Sequence, residues 1–117
     1  MKSRDLNSLI DILIAARLIE QFIEGIDKEI FELDMMRQSA VIRQLEIIGE
    51  ATKRLSQDFR AVYPQIPWRQ MAGMRDILIH NYDDIELDEV WNVANISIPK
   101  LIEQIEDILP PEIIIEI

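Results

Sequence analysis

Cysteine is absent from these 117 residues, histidine occurs once, and there are only three glycines and five prolines. Without cysteine there is no disulfide framework, no thiolate metal site and no cysteine nucleophile, and the composition suits a reducing compartment. Few glycines and prolines, with aromatics at only 6 %, argue against a β-sandwich, which needs a turn signal every ~8–12 residues. No uncharged run approaches the ~18–20 residues of a membrane span. The N-terminal "MKSRDLNSLIDILIAARLIE" has the early positive charges of a signal peptide, but Asp5, Asp11 and Arg17 interrupt its apolar run. The chain therefore reads as a cytoplasmic protein with no membrane association.

Apolar residues make up 49 % of the chain, enough for the core of a single domain of this size. Their spacing is helical. Leu6, Leu9, Ile12, Leu13, Ala16, Ile19 and Ile23 recur at three- and four-residue steps and predict a helix from about Arg4 to Glu24, stopped by Gly25. "DKEIFELD" predicts a short extra helix capped by Asp27. Val41, Leu45, Ile48, Thr52, Leu55, Phe59 and Val62 form a heptad seam on one long central helix from about Met36 to Val62, with Gly49 inside it as either a close approach of a neighbouring backbone or a tolerated glycine. "YPQIP" breaks the chain, since proline removes an amide donor and disfavours helix in the residue before it. Pro67 then opens a helix whose core face is Trp68, Met71, Met74 and Leu78. The last helix runs from about Asp88 to Leu109 on Val90, Val93, Ile96, Leu101, Ile105 and Ile108, kinked or loosened at Pro99. The expectation is an all-α, up-and-down bundle of four main helices plus one short helix over residues 1–109. An apolar tail over 110–117, rich in isoleucine, follows and packs on the body or on a partner subunit.

A net charge of −10 opposes generic nucleic-acid binding, because phosphate recognition leaves a basic footprint. The distribution is uneven. From Arg37 to Arg75 seven basic residues face three acidic ones, a balance of +4, whereas Asp76 to the C-terminus holds eleven acids against Lys100 alone. That asymmetry describes either an ordinary solvated surface or a basic strip leading to Arg75.

The single histidine lies in "MRDILIHNY". Residues advance ~100° each along a helix, so Asp76 and His80 are neighbours on one face, and Arg75 flanks them ~100° from Asp76. Asp76 can orient the imidazole and favour its protonated form. Arg75 offers a planar fork of donors to a phosphate gaining charge, and Tyr82 returns to the direction of Arg75 if the helix persists. Glu-x-x-His pairs for a di-iron site, zinc ligands and a phosphate-cradling glycine loop are all missing, so neither a metal nor a cofactor is expected. What remains is metal-free work on a phosphodiester, in which RNA supplies its own 2′-hydroxyl. One imidazole cannot act as base and acid at the same moment, and a homodimer with two such helices face to face would supply the second. His80 as a plain capping or packing residue is the alternative on spacing alone.

Arg75-x4-His80-Asn81-Tyr82 matches the Arg-x4-His-x-Tyr motif of HepT-like toxins, a branch of the HEPN ribonucleases. "AVIRQLEIIGEATKRLS", "YPQIPWRQMAGMRDILIHNY" and "LDEVW" resemble that family in the same order, over roughly Asp5 to Leu109. The resemblance implies a helical homodimer whose two Arg75–His80 pairs form a composite, metal-independent ribonuclease cleft, cutting tRNA or mRNA as a toxin. It also implies an MntA-type nucleotidyltransferase antitoxin that transfers AMP to Tyr82. Two rival readings keep the fold: a non-catalytic binding module that partners a nucleotidyltransferase, and a structural dimer with no site.

Overall fold

A computed structural model describes the backbone of residues 1–80 and 86–117, and the side chains of residues 1–74 and 86–117. Among them every regular element is helical: α1 (Ser3–Ile23), α2 (Lys28–Leu33), α3 (Met35–Arg54), α4 (Gln57–Val62), α5 (Trp68–His80), α6 (Leu87–Asn92), a π-helical segment (Val93–Ser97), α7 (Ile98–Ile108) and α8 (Pro111–Glu116).

The centre is α1, whose expected stripe is real: Leu9, Ile12, Leu13, Ala16 and Ile19 are fully buried, with Leu6 and Ile23 packed at the edges. Gly25 takes a left-handed φ of +75° just past its end, a conformation that costs glycine little. α1 packs on α3 and on α7, and α3 carries α5. The motif helix is thus held on the bundle mainly through α3, whose Val41, Leu45, Ile48, Gly49, Ala51 and Thr52 are buried.

Asp27 caps α2 as anticipated, its carboxylate accepting from the Ile30 amide at 2.9 Å. Asp34 does the same for α3 through the Arg37 amide at 3.0 Å, so that helix opens one residue earlier than the seam suggested. The expected continuous helix over 36–62 is two helices. The chain turns extended at Leu55 and Ser56, and Ser56 becomes the cap of α4, its Oγ accepting from the Phe59 amide at 3.1 Å. A buried carboxylate on α1 stabilises the break: Asp5 accepts the Ser56 amide and hydroxyl, both at 2.8 Å. The turn keeps Leu55 and Phe59 in the core but swings Val62 out to 66 % exposure, contrary to its assignment to the seam.

Pro67 sits one place before α5 rather than as its first residue, and its carbonyl accepts the Met71 amide at 3.1 Å. Trp68 is buried, Met71 and Met74 pack on the core from its margin, and the side chain of Leu78 lies outside the described residues.

The loosening expected at Pro99 takes the form of the π-helical turn immediately before it. Proline has no amide to donate, and the wider i→i+5 spacing lets the chain pass that point without breaking. The wider turn rotates the apolar face: Ala94 and Ile98 are buried, whereas Ile96, expected inside, is 70 % exposed. Beyond Leu109 the tail is also helical. Ile114 packs on the core, while Ile115 stands 85 % exposed.

Candidate functional site

Arg75, Asp76 and His80 all lie on α5. The unbroken helix places Asp76 and His80 ~6 Å apart along the axis and ~40° apart around it, while Arg75 and His80 are separated by ~7.5 Å and ~140°. Asp76 and His80 therefore share a face, and Arg75 stands on the flank. Tyr82 lies outside the described residues, as does most of the acidic turn that follows it.

Both ends of this region are tied to the bundle. At the start of α5, Trp68 is held by its indole Nε1, which donates to the Tyr63 carbonyl at 3.0 Å, and its ring lies 5.9 Å from that of Phe59. After the motif the chain re-enters the described structure at Glu86 and is pinned through α6 to α2. Phe31, fully buried, meets Trp91 with ring centroids 5.3 Å apart, and Lys28 pairs with Asp88 at 2.9 Å. The hydrogen bond between them raises the Lys28 pKa and lowers that of Asp88. Both groups are well exposed to solvent, so the aromatic contact rather than the ion pair carries this clip.

A groove of about 850 Å³ runs beside α5, between α3 and the α6–α7 segment. Its floor is largely apolar, from Leu45, Ile48, Met71, Val90 and Ile98, and it takes in Gly73 and Met74, the two residues before Arg75. Sequence reading did not anticipate it, because its walls come from helices far apart in the chain.

The basic strip resolves into separate parts. Arg37 is bound to Asp34 at 2.9 Å and to the Phe22 carbonyl at 3.0 Å, Arg43 to Glu46 at 3.2 Å, and Arg54 to Asp11 at 3.3 Å. These three arginines brace helices. Arg60 donates at 2.7 Å to the Thr52 carbonyl, which also accepts the Leu55 amide at the end of α3, and the enclosed Nε of Arg60 has no hydrogen-bond partner. Arg69 is exposed on the first turn of α5 and makes no ion pair among the described residues. No group of three or more His, Asp or Glu residues that could hold a metal ion occurs among the described residues.

A helical bundle with an Arg-x4-His pair carried on a helix anchored at its front by a buried tryptophan is the class of molecule that fold and sequence define together. The family model described as "HepT-like: Ribonuclease HepT-like" matches residues 12–108. The chain is 46 % identical to "Probable ribonuclease HepT" of Thermococcus cleftensis, over 86 % of this chain and 92 % of that protein. It is 40 % identical to "Putative RNase MJ1380" of Methanocaldococcus jannaschii, over 91 % of this chain and 98 % of that one. No solved structure matches it. The chain belongs to the HepT-like ribonuclease family, and the all-α fold read from its periodicity is the one observed. No helix among the described residues is long and apolar enough to cross a membrane.

Proposed function

We propose that this protein is a metal-independent endoribonuclease toxin of the cytoplasm, acting as a homodimer in which the two Arg75–His80 pairs build one cleft. The observation that carries the reading is the placement of both residues within two turns of one helix, in a chain of a ribonuclease family. A separation of ~140° around α5 makes it awkward for one helix to aim both groups at a single phosphate. Two copies related by a twofold axis remove the difficulty, since Arg75 of each protomer can serve the phosphate that His80 of the other attends. The apolar groove beside α5 and the exposed Ile96 at its rim supply a surface for such pairing.

Chemically, one imidazole removes the proton of the RNA 2′-hydroxyl as that oxygen bonds to phosphorus. The second imidazole, protonated, delivers its proton to the departing 5′-oxygen as the P–O5′ bond breaks. The products are a 2′,3′-cyclic phosphate and a 5′-hydroxyl. Arg75 stabilises the charge gathered on the phosphorane oxygens, and Asp76 orients His80. Tyr82 is the site at which an MntA-type nucleotidyltransferase antitoxin adds AMP. A bulky, negative group beside a phosphate-binding cleft blocks and neutralises it.

The test is incubation of the wild type, Arg75→Ala and His80→Ala with total RNA and with tRNA in EDTA, with product ends analysed. Cleavage by the wild type alone, leaving 2′,3′-cyclic phosphates, is the expected result. No cleavage by a dimer whose Tyr82 is shown by mass to be unmodified would replace the nuclease with a binding module for the nucleotidyltransferase.

A further inference from the structure

Beyond the cleavage centre, a second depression lies at the N-terminal end of α5. It is open, encloses about 550 Å³, and is lined by Arg60, Gln65, Arg69 and Gln70 together with the Pro64–Trp68 turn. No carboxylate among the described residues lines it, in a chain that carries 22 acidic residues against 12 basic ones. Among the arginines of the strip whose side chains are described, Arg37, Arg43 and Arg54 are each taken up by an acid, and Arg60 and Arg69 are not. Arg60 is held in place by the Thr52 carbonyl, and Arg69 is exposed with no ion pair among the described residues. The two glutamines add uncharged hydrogen-bonding groups suited to phosphate and ribose oxygens.

The register of α5 links this depression to the motif. Arg69 and His80 are eleven residues apart, which on an α-helix is ~16 Å along the axis and only ~20° around it. Gly73 and Asp76 fall on the same face between them. At Gly73 the helix presents no side chain, and even an added Cβ would meet nothing within 4 Å. A strand engaged at His80 therefore has a course along α5, across Gly73, to a positively charged end.

We propose that the Arg60–Arg69 depression is an RNA-docking subsite that holds the phosphodiester backbone of the substrate strand three helical turns from the cleavage centre. This rests on the ribonuclease reading above. The subsite selects for length rather than sequence, since phosphate contacts position a strand without reading its bases.

The experiment compares the intact wild type with Arg69→Ala and Arg69→Glu, and with Arg60→Gln as a second site. Binding is measured with a 12-nucleotide single-stranded RNA carrying 2′-O-methyl groups, which cannot be cut, over a range of salt concentrations. Cleavage is measured with the unmodified 12-mer and with a dinucleotide, which occupies the cleavage centre alone. Arg69→Ala should weaken 12-mer binding roughly fivefold and reduce the salt slope by about 0.7, the value for one lost single-strand phosphate contact. Arg69→Glu should weaken it further, and dinucleotide cleavage should be unchanged in both. Equal 12-mer binding and salt slope in the wild type and Arg69→Glu would overturn the subsite and leave the nuclease intact. Length-dependent, Arg69-dependent binding without any cleavage would uphold the subsite and remove the nuclease. A wild type that binds no RNA would overturn both.

Discussion

Asp5 is the one buried carboxylate among the described residues, and its position is fixed by two bonds from Ser56. Burial by itself pushes its pKa up. The Ser56 amide and hydroxyl, with Lys2 and Arg4 nearby, outweigh this, and the net result lies below the ordinary value of 3.8. A carboxyl whose folded pKa is depressed contributes stability above its unfolded pKa, and that contribution disappears as pH falls through the folded value. Stability should thus be lost below about pH 4, and Asp5→Asn should flatten that acid limb in a denaturant titration repeated across pH. At neutral pH Asp5→Ala, which leaves the Ser56 amide unpartnered, should cost about 1–3 kcal/mol. Gly73 offers the opposite case. Glycine inside a helix is about 1 kcal/mol worse than alanine, and the Cβ has free space. Gly73→Ala should raise the midpoint of denaturant unfolding by a corresponding amount, and an unchanged or lowered midpoint would show that the glycine has another structural task.

At the scale of elements, the segment holding Tyr82 is bracketed by α5 and α6, and each bracket has its own anchor. The rear anchor is Phe31, which joins α2 to α6 through Trp91. Phe31→Ala removes a fully buried ring and should destabilise the protein by about 3–5 kcal/mol. Under conditions where the variant remains folded, hydrogen exchange should rise first in α2 and α6, with α1 and α3 retaining protection; uniform loss across all helices would show that the clip is not a separable unit. Several boundaries were readable in advance because they rest on local chemistry: the Asp27 cap, the Gly25 stop, the disturbance at Pro99. The break after Arg54 was not, since the heptad seam continues across it and the group that stabilises the turn, Asp5, is 51 positions away in the chain. The exposure of Ile96 escaped for a related reason. A π-turn adds a residue to the register, and no local pattern marks where the addition falls.

For the whole molecule, the proposed composite cleft makes a requirement that no single-protomer site shares. That scheme needs the imidazoles of both protomers, so a mixed dimer of wild type and His80→Ala, left with one histidine in the cleft, is inactive. Co-expression with two affinity tags, followed by purification of the doubly tagged species, should recover a dimer whose RNA cleavage falls to that of the His80→Ala homodimer. Activity near half that of the wild type would place all the chemistry within one protomer. Sedimentation of the wild type at micromolar concentration should give twice the 13.7 kDa of the chain.

What the sequence by itself determined are the features set by neighbours along the chain. Helical periodicity, caps, the proline interruptions and the spacing of Arg75, Asp76 and His80 on α5 all follow from 3.6 residues per turn and the hydrogen-bonding capacity of single residues. The family was legible for the same reason, since its motif is a run of adjacent positions. Only the tertiary structure decided which arginines are bound by acids and which remain, where the long central helix breaks, which apolar residues face out, and where the groove and the Arg60–Arg69 depression lie. Each of those depends on groups from separate helices meeting in space, where the free energy of burial and pairing outweighs the local preference of any one segment.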